Sequence, residues 1–318
     1  MRSGSVLSRS VRRRRLLALV VIVALAAGSA SLLGRSAART SRAPDPIRVV
    51  AGGRTVATID RRLLAASDPA ARARVRRLLT RQIPASQWVV LPHARVRYRN
   101  DRSATARRVM DATTTTSTVR LVRAPIESAI AAPVLRQQLR NDCESAALSI
   151  LMAATGRRVS QVRIQQLLPA SGPLDPRGVG AERVWGDPDL GFVGRPDGGG
   201  VAGGFGVYPR PIIGVARRLG TQLDDLTGSS PQTLYARLLA GRPVIAWVGL
   251  SAGPYGSWRS PAGRVINVNF GEHTVVLRGV NRDGSLSVSN PLRGTAETWT
   301  RAQFASMWQL LDRRAVGS

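Results

Sequence analysis

A single cysteine, Cys143, occurs in 318 residues, so no internal disulfide can form and the fold has to be held by its apolar core. A chain of this length buries enough surface for one large core or two smaller ones. The same constraint isolates the thiol, which is either a small buried hydrophobe or is kept for its chemistry. Its surroundings, Asn141-Asp142-Cys143-Glu144-Ser145-Ala146-Ala147-Leu148, read as the start of a helix. Asp142 is placed to cap the first turn, Gly156 to end the helix after Thr155, and Ala146, Ala147, Ile150 and Leu151 form an apolar face. Backbone N–H groups and the positive end of the helix dipole stabilise a thiolate there, which predicts an easily ionised, nucleophilic cysteine.

Two histidines are present, His93 and His273. His93 has no partner of catalytic type near it and reads as an ordinary histidine. His273 follows Cys143 by 130 residues and Asn290 follows it by 147, both within the roughly 130–150 residues that separate the members of a Cys-His-Asn site. His273 to Val280 and Ser285 to Asn290 are β-type runs joined by the turn sequence Asn281-Arg282-Asp283-Gly284. If Val280 pairs with Ser285, Asn290 falls opposite Val275 and shares a face with His273. The two are then diagonal neighbours about 7 Å apart at Cα. An asparagine so placed accepts the imidazole N–H, fixes its tautomer and aims it at a thiolate.

Further segments occur in a particular order. Asp142-Cys143-Glu144 is followed by Trp185-Gly186-Asp187-Pro188 running into Gly191-Phe192-Val193-Gly194, then Gly206-Val207-Tyr208-Pro209 and Leu226-Thr227-Gly228-Ser229. Gly241-Arg242-Pro243-Val244, Glu272-His273-Thr274-Val275-Val276-Leu277 and Ser289-Asn290-Pro291-Leu292 complete the series. From Leu135 to Ala315 the chain thus resembles the peptidase C39-like family, in its stand-alone secreted or membrane-anchored group and not the transporter-fused one. The resemblance implies an α+β, papain-like cysteine peptidase fold, with the cysteine on an N-terminal helical part and His and Asn on a C-terminal antiparallel sheet. It implies Cys143 as nucleophile, His273 as general base and Asn290 as the residue orienting it, where many relatives carry aspartate before the proline. It also places an oxyanion-stabilising glutamine just ahead of the cysteine; Gln137, six residues before it, is preferred, with Gln138 as the alternative.

The formal net charge is +28, carried entirely by arginine. The excess is +9 over residues 1–43, +11 over 44–132 and +8 over 133–318, so the catalytic segment is the least basic for its length. Basic charge without a recognisable fold or interleaved aromatics is a poor signal for nucleic acid. A solvated basic surface, or attraction to an anionic cell-envelope polymer or lipid headgroup, is the better reading. Arg12 to Arg15 precede Leu16 to Gly34, 19 residues without a charge, which read as a signal peptide or a single transmembrane anchor with the rest of the chain extracytoplasmic. A linker to residue 46 follows, then a small basic α+β module over 47–132, with a strand pair around Gly52-Gly53, a helix from Pro69 to Arg81 capped by Asp68 and a strand-like stretch from Trp88 to Tyr98. The run Thr113 to Thr116 reads as a loop. Residues 133–318 form the peptidase-like domain. The glycines from Gly198 to Gly204 lack the Lys-Ser/Thr of a phosphate loop and read as a loop near the substrate groove. No cofactor or metal is expected, since one cysteine and two distant histidines give no ligand spacing. The expected activity is thiol-dependent acyl transfer on a peptide or amide bond of a peptide or protein substrate. The alternatives are a cell-wall amidase or transpeptidase on the same fold and an inactive binding module.

Overall fold

A run of Val244–Gly249 with the sequence VIAWVG has no polar alternation, and a strand of that kind has to be covered on both faces. In the computed structural model, which describes residues 45–112, 116–199 and 203–318, every residue of that strand is buried. It pairs antiparallel with Glu272–Val280 on one edge and with Ala315–Gly317 on the other. The Leu16–Gly34 run lies outside the described residues, as do Thr113–Thr115 of the threonine run. Among the described residues no helix is long and apolar enough to cross a membrane.

The N-terminal part of the described chain contains β1 (Ile47–Ala51), β2 (Arg54–Ile59), α1 (Pro69–Gln82), β3 (Ser86–Val90), β4 (Ala94–Asn100), α2 (Arg102–Met110), β5 (Thr118–Arg120) and β6 (Arg123–Ile130). Asp68 accepts a hydrogen bond from Ala71 N and caps α1 as its sequence suggests. The stretch from Trp88 to Tyr98 is the heart of a hairpin and not one strand. Leu91 N bonds Ala94 O across a tight turn at Pro92, a residue that cannot donate to a continuous ladder. β2, β1 and β5 form a three-stranded sheet over an apolar cluster of its own, with Ile47, Val49, Ile59, Leu79 and Val109 at its centre. β3, β4 and β6 instead extend the large sheet, where Val280 pairs with Ser128 of β6.

α3 (Cys143–Ala154) packs against this sheet and is buried on all sides, Ala153 alone excepted. The polar side chains on it are satisfied internally, Ser145 Oγ by Gln165 Oε1 at 2.8 Å and Ser149 Oγ by the Val159 carbonyl at 2.6 Å. The helix ends at Gly156, whose φ of 89° suits a left-handed stop. Its start differs from expectation, because the Asp142 side chain makes no hydrogen bond to the first turn. Asp142 is fully buried and its Oδ1 accepts from Leu139 N at 3.0 Å, so it ties down the approaching loop.

The hairpin carrying His273 and Asn290 also departs in detail. Val280 pairs with Leu286, one residue beyond the expected partner, because Asn281 N bonds Ser285 O and lengthens the turn. Arg278 then bulges between the pairs Leu277/Val288 and Gly279/Ser287. One extra residue on the first strand cancels the shift, and the ladder reaches Val276/Ser289 in the register that sets Asn290 opposite Val275.

Candidate active site

The beginning of α3 and the beginning of the Glu272–Val280 strand face a cavity of about 300 Å³ lined by Gln137, Asn141, Cys143, Phe205, Glu272 and His273. Leu250, Phe270 and Leu292 supply apolar wall, and Arg140 and Gly204 complete the lining. The glycine-rich stretch does reach this groove. Asn141 holds it there, with Nδ2 donating to Arg195 O at 3.1 Å and Gly198 O at 2.7 Å and its backbone N donating to Pro196 O at 2.8 Å. His93 is exposed and lies against Gly156, away from the cavity.

His273 is buried, and its Nε2 lies 2.9 Å from Asn290 Oδ1. The amide orientation of Asn290 follows from its other bonds: Oδ1 also accepts from Leu292 N at 3.1 Å, and Nδ2 donates to Glu297 Oε1 at 2.9 Å. Oδ1 therefore accepts from the imidazole, Nε2 carries the proton, and Nδ1 is left as the basic nitrogen. Glu297 is itself held by Thr295 Oγ1 and Trp299 Nε1, at 2.9 and 2.8 Å. Burial pushes the imidazole down to about 4, against an upward pull from the Asn290 bond and the Glu297 charge. In neutral solution the ring is uncharged.

Glu297 gives a physical reason for asparagine at position 290. An aspartate there would set two carboxylates at hydrogen-bond distance, where both cannot ionise. Asn290→Asp is expected to destabilise the protein by about 1–3 kcal/mol, and adding Glu297→Gln is expected to recover most of that loss, because the new amide donates to the new carboxylate. A double-mutant cycle by urea unfolding measures the coupling; additive losses would contradict this account.

Sequence reasoning overlooked the carboxyl groups beside the thiol. Cys143 Sγ donates to Glu144 Oε2 at 3.4 Å, and one ligand-type atom from each of Cys143, Glu144 and Glu272 lies within 4.8 Å of the other two. Both acids stand in segments that carry the family resemblance, Glu144 directly after the cysteine and Glu272 directly before the histidine, each beside apolar sequence. The expectation of an easily ionised thiol is corrected here. Burial first, then the charges of Glu144 and Glu272, push it well above the ordinary cysteine value, and Thr274 offsets them only in part. These effects outweigh the helix terminus.

Gln137 lines the cavity, but its amide donates to Leu139 O at 3.0 Å and to Arg140 O at 2.8 Å, leaving Oε1 buried without a partner. Gln138 is exposed, and its backbone N bonds Gln161 Oε1. The structure thus gathers Cys143, His273, Asn290 and Gln137 and leaves Gln138 outside.

Comparison with known proteins places this chain in a lineage. The model of the Peptidase_C39 like family matches residues 129–316. The uncharacterized protein YvpB of Bacillus subtilis (strain 168) is 30% identical over 185 residues, covering 56% of this chain and 69% of YvpB. A crystal structure of a putative C39-like peptidase from Bacillus anthracis superposes with a TM-score of 0.51 at 26% identity, covering 58% of this chain and 93% of the other. Matched over more than half its length by that family's model, this chain belongs to the peptidase C39-like family.

Proposed function

We propose that the protein is an exported thiol-dependent peptidase whose nucleophile is Cys143. The observation that carries this reading is the His273–Asn290 bond of 2.9 Å on the wall of the cavity that Cys143 also lines. That bond presents Nδ1 as the base. In the reaction the thiol proton passes to Nδ1, sulfur attacks a peptide or amide carbonyl carbon, and the imidazolium returns the proton to the leaving amine. Water then attacks the thioester, with the neutral imidazole again taking the proton. With no side-chain cap on α3, its first-turn N–H groups, that of Cys143 among them, are the natural donors to the tetrahedral oxyanion. Gln137 joins them once substrate displaces its bonds to Leu139 and Arg140.

The clustered arginines and apolar run at 12–34 support export, with the run acting as an anchor or a cleaved signal. An anionic envelope polymer is the surface partner that the +28 charge favours. The thiol's bond to Glu144 favours a second reading, a weakly active binding module on the same fold.

Incubation of the purified full chain with a peptide library, and in parallel with muropeptides, is the test. Cleavage of peptides that stops on thiol alkylation supports the peptidase. Release of muropeptide fragments alone would replace it with a wall amidase, and no cleavage of either would leave the binding module.

A further inference from the structure

The carboxyl pair beside the nucleophile has no role in the acyl-transfer scheme, and its geometry is unusual. Glu144 is 1% exposed and Cys143 is 6% exposed. Glu144 Oε1 accepts from Val207 N at 2.6 Å, its Oε2 accepts from the thiol, and Glu272 Oε1 accepts from Thr274 Oγ1 at 3.1 Å. Among the described residues neither carboxyl forms an ion pair. Asp142 adds negative field from α3, while Arg314 is the cation that acts on Glu272, seated 3.8 Å over the Tyr208 ring and bonded to Asp312. His273 and Thr274 are the neighbours from the strand.

Glu144 is buried and Glu272 half-buried, and with their oxygens within 4.8 Å of each other the ionisation of one opposes that of the other. Burial raises both, with the Glu144 charge adding to the effect on Glu272. The remaining negative charge faces the thiol.

We propose that Glu144 and Glu272 are positioning residues for the nucleophile: the pair holds the Cys143 S–H on the carboxyl side of the cavity, keeping it un-ionised until the thiol turns to His273 Nδ1. The inference rests on Cys143 being the nucleophile of the peptidase reading. Turning breaks the Sγ–H···Oε2 bond and loosens the sulfur's contacts with Thr274; the proton stays on sulfur during rotation and passes to Nδ1 afterwards. A second proton on the pair removes the charge that favours the resting orientation.

The test is the rate of iodoacetamide alkylation of Cys143 in the full chain across pH 5–9, for the wild type, Glu144→Gln, Glu272→Gln and the double variant. Each glutamine keeps an oxygen for Val207 N or Thr274 Oγ1, so those two bonds survive, while Glu144→Gln replaces the thiol's acceptor with an amide N–H. The double variant is expected to alkylate about tenfold faster at pH 7.5, its midpoint lying about one unit lower, and each single variant part of the way. If Glu144→Gln fails to fold, Glu272→Gln reads the same charge. An unchanged pH profile in the folded variants overturns the proposal. Because alkylation needs no substrate, the two failures are told apart: an unchanged profile in a protein that cleaves peptides overturns the carboxyl pair's role alone, and a shifted profile in a protein that cleaves nothing keeps the pair's hold on the thiol but overturns its role in catalysis together with the peptidase reading.

Discussion

Cys143→Ala is expected to abolish cleavage, lowering kcat/KM by about 10⁴-fold or more, the scale of losses seen when the nucleophile of an acyl-transfer unit is removed. The reason is chemical, since no other side chain in the cavity is a plausible nucleophile: Glu144 and Glu272 face the thiol, and Gln137 and Asn141 are amides. His273→Ala is expected to fall to a similar level, because a thiol pushed well above its ordinary value cannot supply thiolate in neutral solution without a base. The double variant is expected to lose no more than either single one, since the two act as a unit. Steady-state cleavage kinetics on one defined peptide decide the matter. Residual activity of Cys143→Ala within tenfold of wild type would exclude Cys143 as nucleophile.

Gly206→Ala is expected to destabilise the protein strongly and to disturb the setting of Glu144. Gly206 has φ of 114°, and a Cβ there would stand 2.2 Å from Glu144 Oε1. A left-handed conformation costs an alanine about 1–2 kcal/mol, and overpacking a buried contact adds about 1–3 kcal/mol. The contact displaced is the one that anchors Glu144 to Val207 N at 2.6 Å, and Val207 O in turn accepts from the buried Trp247 Nε1 at 2.9 Å. A loss of roughly 3 kcal/mol follows, corresponding to a drop in Tm of about 4–6 °C for a chain of this size. Thermal unfolding by circular dichroism measures it, and a shift below about 2 °C would show that the backbone and Glu144 accommodate the methyl group without strain.

Much of the site was legible because it depends on local regularities. Cys143 could be put at a helix start from the apolar spacing that follows it and the glycine that ends it. His273 and Asn290 could be put on one face because strand alternation has a period of two. The register itself was misjudged by one residue at the turn, and only the bulge at Arg278 brought the two side chains together. A bulge is a tertiary adjustment with no sequence mark here. Asp142 illustrates a different loss: its type suits a helix cap, but full burial beneath the preceding loop gave its carboxylate a nearer donor in Leu139 N.

The charge state of the Cys143 thiol lay furthest from sequence. Helix position alone argues for a thiolate, whereas the tertiary structure buries the sulfur and brings Glu272, 129 residues away in the chain, to the same few ångströms as Glu144. By itself the sequence determined which residues can do chemistry, the family, and the strand and helix that carry the site, because these follow from short-range periodicity and residue type. Only the tertiary structure decided how those residues are charged and oriented. Desolvation and Coulomb forces depend on distances across the fold that the order of residues does not contain.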